Sequence, residues 1–507
     1  MPKLNWPNNI IIREMRKRIL FLTLGISIAL FSAFTSPADD LEALFAKINE
    51  DVLSRGRAYE TLGEATSTIG HRLTGSPNGK KAEDFAYKLL KEYGYTDVKY
   101  MPFEVESWAR DTVSLAIVPK GSDNFRDVEV VALAHSPVSS HIKGPIVDCG
   151  DGIEADFEKV KDEVKGKIAL FNINLQSPEN KGKKNLHRSE KTALAIKYGA
   201  AGVIIANAVE GGVLLTGTAS VTGALIPIPA VCVSVESGKS IRKWMNEEKN
   251  IWAVIDMQNF SRPIRARNVI ATLPGSSRKH ANDKIVIGGH LDSWDLATGA
   301  MDNGIGSFTV LDVARVFQAL KLKPKRTIEF VMFMGEEQGL LGSKALVKKY
   351  KDEGKLDQVQ LMMNLDMVNN AKGFNAMGRP ELRSFFDEIG KKIKNIDSTF
   401  TNTNPNSAGL HSDHQPFMIQ GVPVCSPSGS FPIKAYNCYH ANCDRFDLID
   451  KKQINNNVRF TAMMLYALAN ADALPVKKMN DNDTREFLIK QNLKNELIIG
   501  KDWRWEQ

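Results

Sequence analysis

The spacing of apolar and polar positions divides the 507-residue chain into stretches of different character. From residue 39 to 68 apolar side chains recur at helical spacing. GHRLTGSPNG, residues 70–79, then interrupts with glycines and a proline and reads as a turn. KKAEDFAYKLLKEYGY follows, with Phe85, Ala86, Leu89 and Leu90 on one helical face and Gly94 as a C-terminal stop. Thr96 to Val105 reads as a strand. Between about residues 126 and 260 the pattern becomes a series of short β-branched runs: VEVVALA, GPIVD, GKIALFN, AGVIIAN and PAVCVS. One helical piece, KTALAIKYGA, stands directly before AGVIIAN. This predicts a compact β-rich insert with a helix or two.

From about residue 262 a different alternation begins. NVIATLPG, KIVIGGHLD, RTIEFVMFMG, VQLMMNLDMV and GVPVCSPSG read as strands, and IGSFTVLDVARVFQAL as a helix between them. Near-continuous apolar strands alternating with amphipathic helices predict an α/β fold: a mixed, mostly parallel sheet covered by helices. No internal repeat or low-complexity tract interrupts it. Residues 476–507, ending in DWRWEQ, are expected to form one amphipathic helix and a tryptophan-bearing tail.

The beginning of the sequence has the order of a processing signal. Basic residues 13–18 precede the apolar run Ile19 to Phe31, and Ser36-Pro37-Ala38 offers a small-residue cleavage site. The run is short for a bilayer span. The expectation is export to the periplasm or exterior, with no stable membrane insertion after cleavage. The expected organisation is a signal peptide 1–38, a first part of the main domain 39–125, the insert 126–260, a second part 261–475 and an extension 476–507.

Composition changes this picture little. With 43% hydrophobic and 25% charged residues the chain is globular. Its formal charge is +7, but residues 1–38 contribute Lys3, Arg13, Arg16, Lys17 and Arg18 against Glu14, leaving +3 for the rest. That is too weak to argue for a nucleic-acid partner. Five cysteines are too few for a disulfide scaffold, and Cys438 with Cys443 is the only close pair. Export permits that bond, and the odd count leaves at least one thiol unpaired.

The chemistry gathers where strands end, which is where open α/β sheets place functional residues. KIVIGG ends in His290 and Asp292, and a loop leads to Asp302 just before a helix. RTIEFVMFMG ends in the adjacent Glu336 and Glu337, and VQLMMNL in Asp366. YHANCD places His440 in a cysteine-flanked loop. Several carboxylates converging at one sheet edge require positive charge nearby. Two histidines with carboxylates suit borderline divalent ions such as Zn²⁺, and two ions a few ångströms apart are a hydrolytic device. Neighbouring residues of an extended chain point to opposite sides, so Glu336 and Glu337 can serve different tasks.

GGHLDS, GAMDNGIG, GEEQGLLGS, NLDM and YHANCD, in that order, resemble the M28 family of co-catalytic zinc exopeptidases. The insert is similar to the protease-associated domain that many members carry. The resemblance implies two Zn²⁺ ions held by His290, Asp302, Glu337, Asp366 and His440, with Asp302 bridging them. It implies Glu336 as general base and Asp292 as the acid that orients His290. It also implies a cis peptide at Asp302-Asn303, short peptides as substrates, and the insert as a lid or a dimer surface, so a homodimer is a further expectation.

Alternatives stay open on the residues alone. His411 and His414 in HSDHQPF rival His440. Glu336 and Glu337 can exchange roles, and Asp302 can cap the following helix. In that same segment Ser412 is expected to cap a helix, with Asp413 and His414 supporting the pocket. Tyr436 and Tyr439 are candidates for stabilising an oxyanion, with packing as the other role open to them. His71, His135, His141, His187 and His280 read as surface or structural. Ala441 and Asp444-Arg445 depart from the family pattern, which has threonine at the first and a DT pair at the second. Aminopeptidase or dipeptidase action is expected, with carboxypeptidase action, a non-catalytic receptor and glutaminyl cyclase as the other readings.

Overall fold

A computed structural model describes residues 1–2, 37–248 and 250–506. The expected signal segment lies almost wholly outside these residues. Among the described residues no helix is long and apolar enough to cross a membrane.

Seven strands form the main sheet, in the spatial order Asp97–Glu106, Pro263–Leu273, Thr327–Phe333, Lys284–His290, Val359–Asn364, Val424–Ser428 and Gly373–Asn375. The central four run parallel, and the outer pairings are antiparallel. The central strands are buried along almost their whole length, which is why they read as unbroken apolar runs. The helices Ile305–Ala319 and Lys451–Asn470 pack against each other beside this sheet. The mixed α/β class expected from the pattern is the one observed.

A second sheet of eight strands belongs to the insert. It includes Ala109–Pro119, upstream of the boundary expected at residue 126. That strand pairs antiparallel with Ile251–Phe260 from Ala109↔Phe260 to Pro119↔Ile251, so the chain enters and leaves the insert on adjacent strands. Three parallel pairings follow, from Ser139–Asp148 through Ile168–Asn172 and Gly202–Ala206 to Ala230–Val233. KTALAIK, the first seven residues of KTALAIKYGA, falls in the helix Arg188–Lys197.

The stretch 39–68 is helical as expected, in two helices, Pro37–Arg55 and Ala58–Thr68, separated at Gly56-Arg57. One helical expectation is corrected: the extension holds two helices, Asp481–Lys490 and Lys494–Ile499, in place of one. Asn480 caps the first, its side chain accepting from the Asp483 N–H, and Asn492, at φ +59°, turns the chain before the second.

Candidate metal centre

The parallel strands deliver their polar ends to one place. His290 is the last residue of Lys284–His290, and its Nε2 lies 3.3 Å from Asp302 Oδ1, 3.4 Å from Asp366 Oδ1 and 3.9 Å from Glu336 Oε2. His440 Nε2 lies 3.0 Å from Asp302 Oδ2 and 3.0 Å from Glu337 Oε2. Asp302 therefore turns one oxygen to each histidine. His290, Glu336 and Asp366 form one group with metal-ligand spacing, and His290, Asp302 and Glu337 form another. His411 lies elsewhere, its Nε2 3.7 Å from Glu190, and His414 Nε2 donates to the Gly409 carbonyl.

The residues fit a divalent metal. The donors are imidazole nitrogen and carboxylate oxygen, the set that suits zinc. Buried Asp366 Oδ1 and Glu337 Oε1 have no hydrogen-bond partner among the described residues. Without a cation the acids repel one another. Burial, then the neighbouring carboxylates of Asp366, Glu337 and Asp413, hold the Glu336 carboxyl well above its usual range against the pull of His290. Burial and Asp302 likewise raise Glu337, with His440 opposing. Burial acts the same way on Asp302, but its hydrogen bonds to His290 and His440 win and hold it below the usual range. An ion of charge +2 among these groups would reverse the repulsion.

Outer contacts fix each of these side chains. The Asp292 carbonyl stands 3.1 Å from His290 Nδ1 and its carboxylate 3.5 Å away. Thr74 Oγ1 donates to Asp292 Oδ2 (3.0 Å) and accepts from Gly335 N–H (2.7 Å), tying the His290 strand to the Glu336 turn. Arg72, fully buried, donates to the carbonyls of Leu291, Thr298 and Gly299, the loop that spaces His290 from Asp302. Asp444 accepts from the N–H groups of Met301 and Asp302, at 2.7 and 3.0 Å. The Asp302-Asn303 peptide is cis.

Asp302 does not cap the helix that follows. Asn303 Oδ1 takes that part, accepting from Gly306 N–H. Ser412 does not cap a helix either; its hydroxyl donates to Asp366 Oδ2 at 2.6 Å and so positions a candidate ligand. Burial pushes Asp413 up to about 8. His440 has φ +54° and lies between Cys438 and Cys443, which are bonded. Cys149, Cys232 and Cys425 are free and buried.

A cleft of about 390 Å³ opens over these groups. Its walls come from the main domain, from Arg188, Glu190, Thr218 and Ser220 of the insert, and from Glu496, Leu497, Gly500 and Asp502 of the extension. Sequence reasoning named neither Arg188 nor the extension as part of the site. His187, expected to be structural, caps the insert's helix and also lines the cleft.

Residues 268–465 match the model of peptidase family M28, and residues 142–241 that of the PA domain. The chain carries a peptidase family M28 domain with a PA domain inserted ahead of it. The chain is a metallo-exopeptidase. Carboxypeptidase Q of Bos taurus is 26% identical over 434 residues, covering 83% of this chain and 87% of that one. Among solved structures, a peptidase M28 precursor from Shewanella amazonensis matches 87% of this chain and 100% of its own, at TM-score 0.73 and 24% identity. A zinc aminopeptidase from Bacillus subtilis matches 84% and 98%, at TM-score 0.62 and 24% identity.

Proposed function

We propose that this M28 peptidase is a di-zinc exopeptidase that hydrolyses short peptides, of aminopeptidase or dipeptidase type. The observation that carries the reading is the convergence of His290, Asp302, Glu337, Asp366 and His440, with Asp302 facing both histidines. These five would hold the ions, and the similar Bacillus subtilis aminopeptidase is a zinc enzyme. Bound zinc supplies Lewis acidity that brings the pKa of water toward neutrality.

Glu336 is the residue free to move the proton. It lies beside His290 and Asp366 but farther from the histidine than either Asp302 or Asp366. Burial among carboxylates raises its basicity. It takes the proton from water and passes it to the leaving amine. Asp292 holds His290 in one orientation by accepting from Nδ1–H. The two tyrosines separate on geometry. Tyr439 stacks on the His440 ring, centroids 3.9 Å apart, and its hydroxyl engages Arg188. Tyr436 is half-exposed at the cleft and lies within the fields of Asp302 and Asp366, so it is the donor placed to meet a developing oxyanion.

A cleft of about 390 Å³ is at the small end of ligand pockets and favours short peptides. A carboxypeptidase reading of the same site has the carboxypeptidase Q relatives in its favour. Kinetics with free, N-blocked and C-amidated dipeptides separates the two. N-blocking abolishes aminopeptidase turnover, and C-amidation abolishes carboxypeptidase turnover. Glu336→Gln is expected to keep both zinc ions, measured by metal analysis after dialysis, and to lose about 10²–10⁴-fold in kcat. A metal-loaded variant with full turnover would remove Glu336 from the role of base. The leader-like first residues support export of the enzyme.

A further inference from the structure

We infer that Arg188, contributed by the PA insert, lowers the zinc affinity of the His440 position by competing for the ring nitrogen that decides the tautomer of His440. The inference rests on the reading of His440 as a metal ligand. A neutral imidazole carries one ring proton. For Nε2 to offer its lone pair to a metal, that proton must be on Nδ1. Two groups of the insert meet at Nδ1, and they ask for opposite things. The Thr216 carbonyl oxygen, 3.2 Å away, can only accept. The Arg188 Nη2, 2.7 Å away, can only donate.

With Thr216 as partner the proton is on Nδ1 and Nε2 is free for a metal. With Arg188 as partner Nδ1 accepts, the proton moves to Nε2, and Asp302 Oδ2 and Glu337 Oε2 receive it, each at 3.0 Å. Metal binding at Nε2 must therefore break the Arg188 bond. The guanidinium is also permanently charged and only 4% exposed, so its field opposes a cation at this place. The His290 side differs, because among the described residues its Nδ1 faces only acceptors from Asp292. The two metal positions are built with unequal affinity.

The arrangement is held in place from both sides. Thr216 N–H donates to the His440 carbonyl at 2.9 Å, and Leu215 bridges Ala441 across the same contact. At Gly217 an added Cβ would come within 1.8 Å of Arg188 Nε, so glycine lets the guanidinium lie flat against the backbone. Arg188 Nε has no hydrogen-bond partner among the described residues, and the side chain lines the cleft.

The test is chelator-competition titration of zinc on the whole protein. Wild type should bind one zinc tightly and a second more weakly. Arg188→Met keeps the stem and removes both donor and charge. It should tighten the second zinc by about 10- to 100-fold, the range a hydrogen bond to a charged group contributes, and leave the first unchanged. Arg188→Lys keeps the charge without the planar fork and should give a smaller gain. A second zinc bound equally or more weakly in Arg188→Met would overturn the inference. Damage to the fold would instead weaken both ions together. If His440→Ala still binds two zinc ions with wild-type affinities, His440 is no ligand, and both the reading and the inference fall.

Discussion

Arg72 offers the severest test of how the centre is assembled. The side chain is fully buried and donates three hydrogen bonds, to the carbonyls of Leu291 (2.5 Å), Thr298 (2.6 Å) and Gly299 (2.8 Å). All three acceptors belong to the loop between His290 and Asp302. Burial lowers the guanidinium to about 10, and the charges of Asp444, Asp292, Asp302 and Glu337 oppose that fall. Arg72→Met strands three buried acceptors and removes a cation from among four acids. Removing one partner of a buried charged set costs about 3–5 kcal/mol. The penalty should be larger in the zinc-free protein, where no metal cation helps the histidines offset the acids. Calorimetry of both forms checks this, with a greater fall in Tm without zinc. A shift of the loop by about 1 Å can cost 10²-fold in rate, so kcat should fall even in molecules that remain folded. Equal penalties in the two forms would refute the charge argument. An unchanged Tm with full activity would refute the positioning role altogether.

Thr74→Val removes the donor to Asp292 and the acceptor for Gly335 N–H, which should cost about 1–3 kcal/mol and lower kcat. Thr74→Ser should recover most of both, and failure of serine to rescue counts against the bridge. Burial, with help from Glu496, pushes Glu190 up to about 8, against about 4.3 in the unfolded chain. The folded protein thus keeps a proton that the unfolded chain has lost, so stability is full below pH 4 and falls as pH rises through 8. Glu190→Gln should flatten the fall in Tm between pH 5 and 9 on such a scan, and parallel curves would exclude this group. Glu496→Lys replaces the 2.6 Å pairing with Lys184 by repulsion and should loosen the extension from the insert. The ratio of kcat/KM for a hexapeptide to that for a dipeptide should then rise, and an unchanged ratio would show that the extension does not limit substrate length.

The main sheet was legible because its central strands are buried on both faces and leave unbroken apolar runs such as IEFVMF. The candidate metal ligands stood out because acids and histidines interrupt those runs where each strand ends. What supports them was not. Arg72 and Thr74 lie in a glycine-rich stretch that reads as a turn, and their partners are more than 200 residues away in sequence. Ser412 had a local reading as a cap, but tertiary contact with Asp366 prevailed. Ala109–Pro119 was missed as part of the insert because its membership depends on pairing with Ile251–Phe260, not on any composition of its own.

The extension shows why such contacts matter for function. Leu488, Leu493 and Leu497 enter the same apolar cluster as Val424 and Phe417 of the main domain, which anchors the two short helices. Glu496 then reaches Lys184 of the insert, while Asp502 reaches Lys344 and accepts from Gln415 of the main domain. One short segment thereby joins the two bodies that face each other across the cleft and forms a wall of that cleft. A substrate passing beyond this wall would have to displace the Glu496–Lys184 ion pair as well as apolar contacts. On the proposed reading short substrates avoid that cost, and selection by length would then follow from how the chain is tied together as well as from the shape of the metal centre.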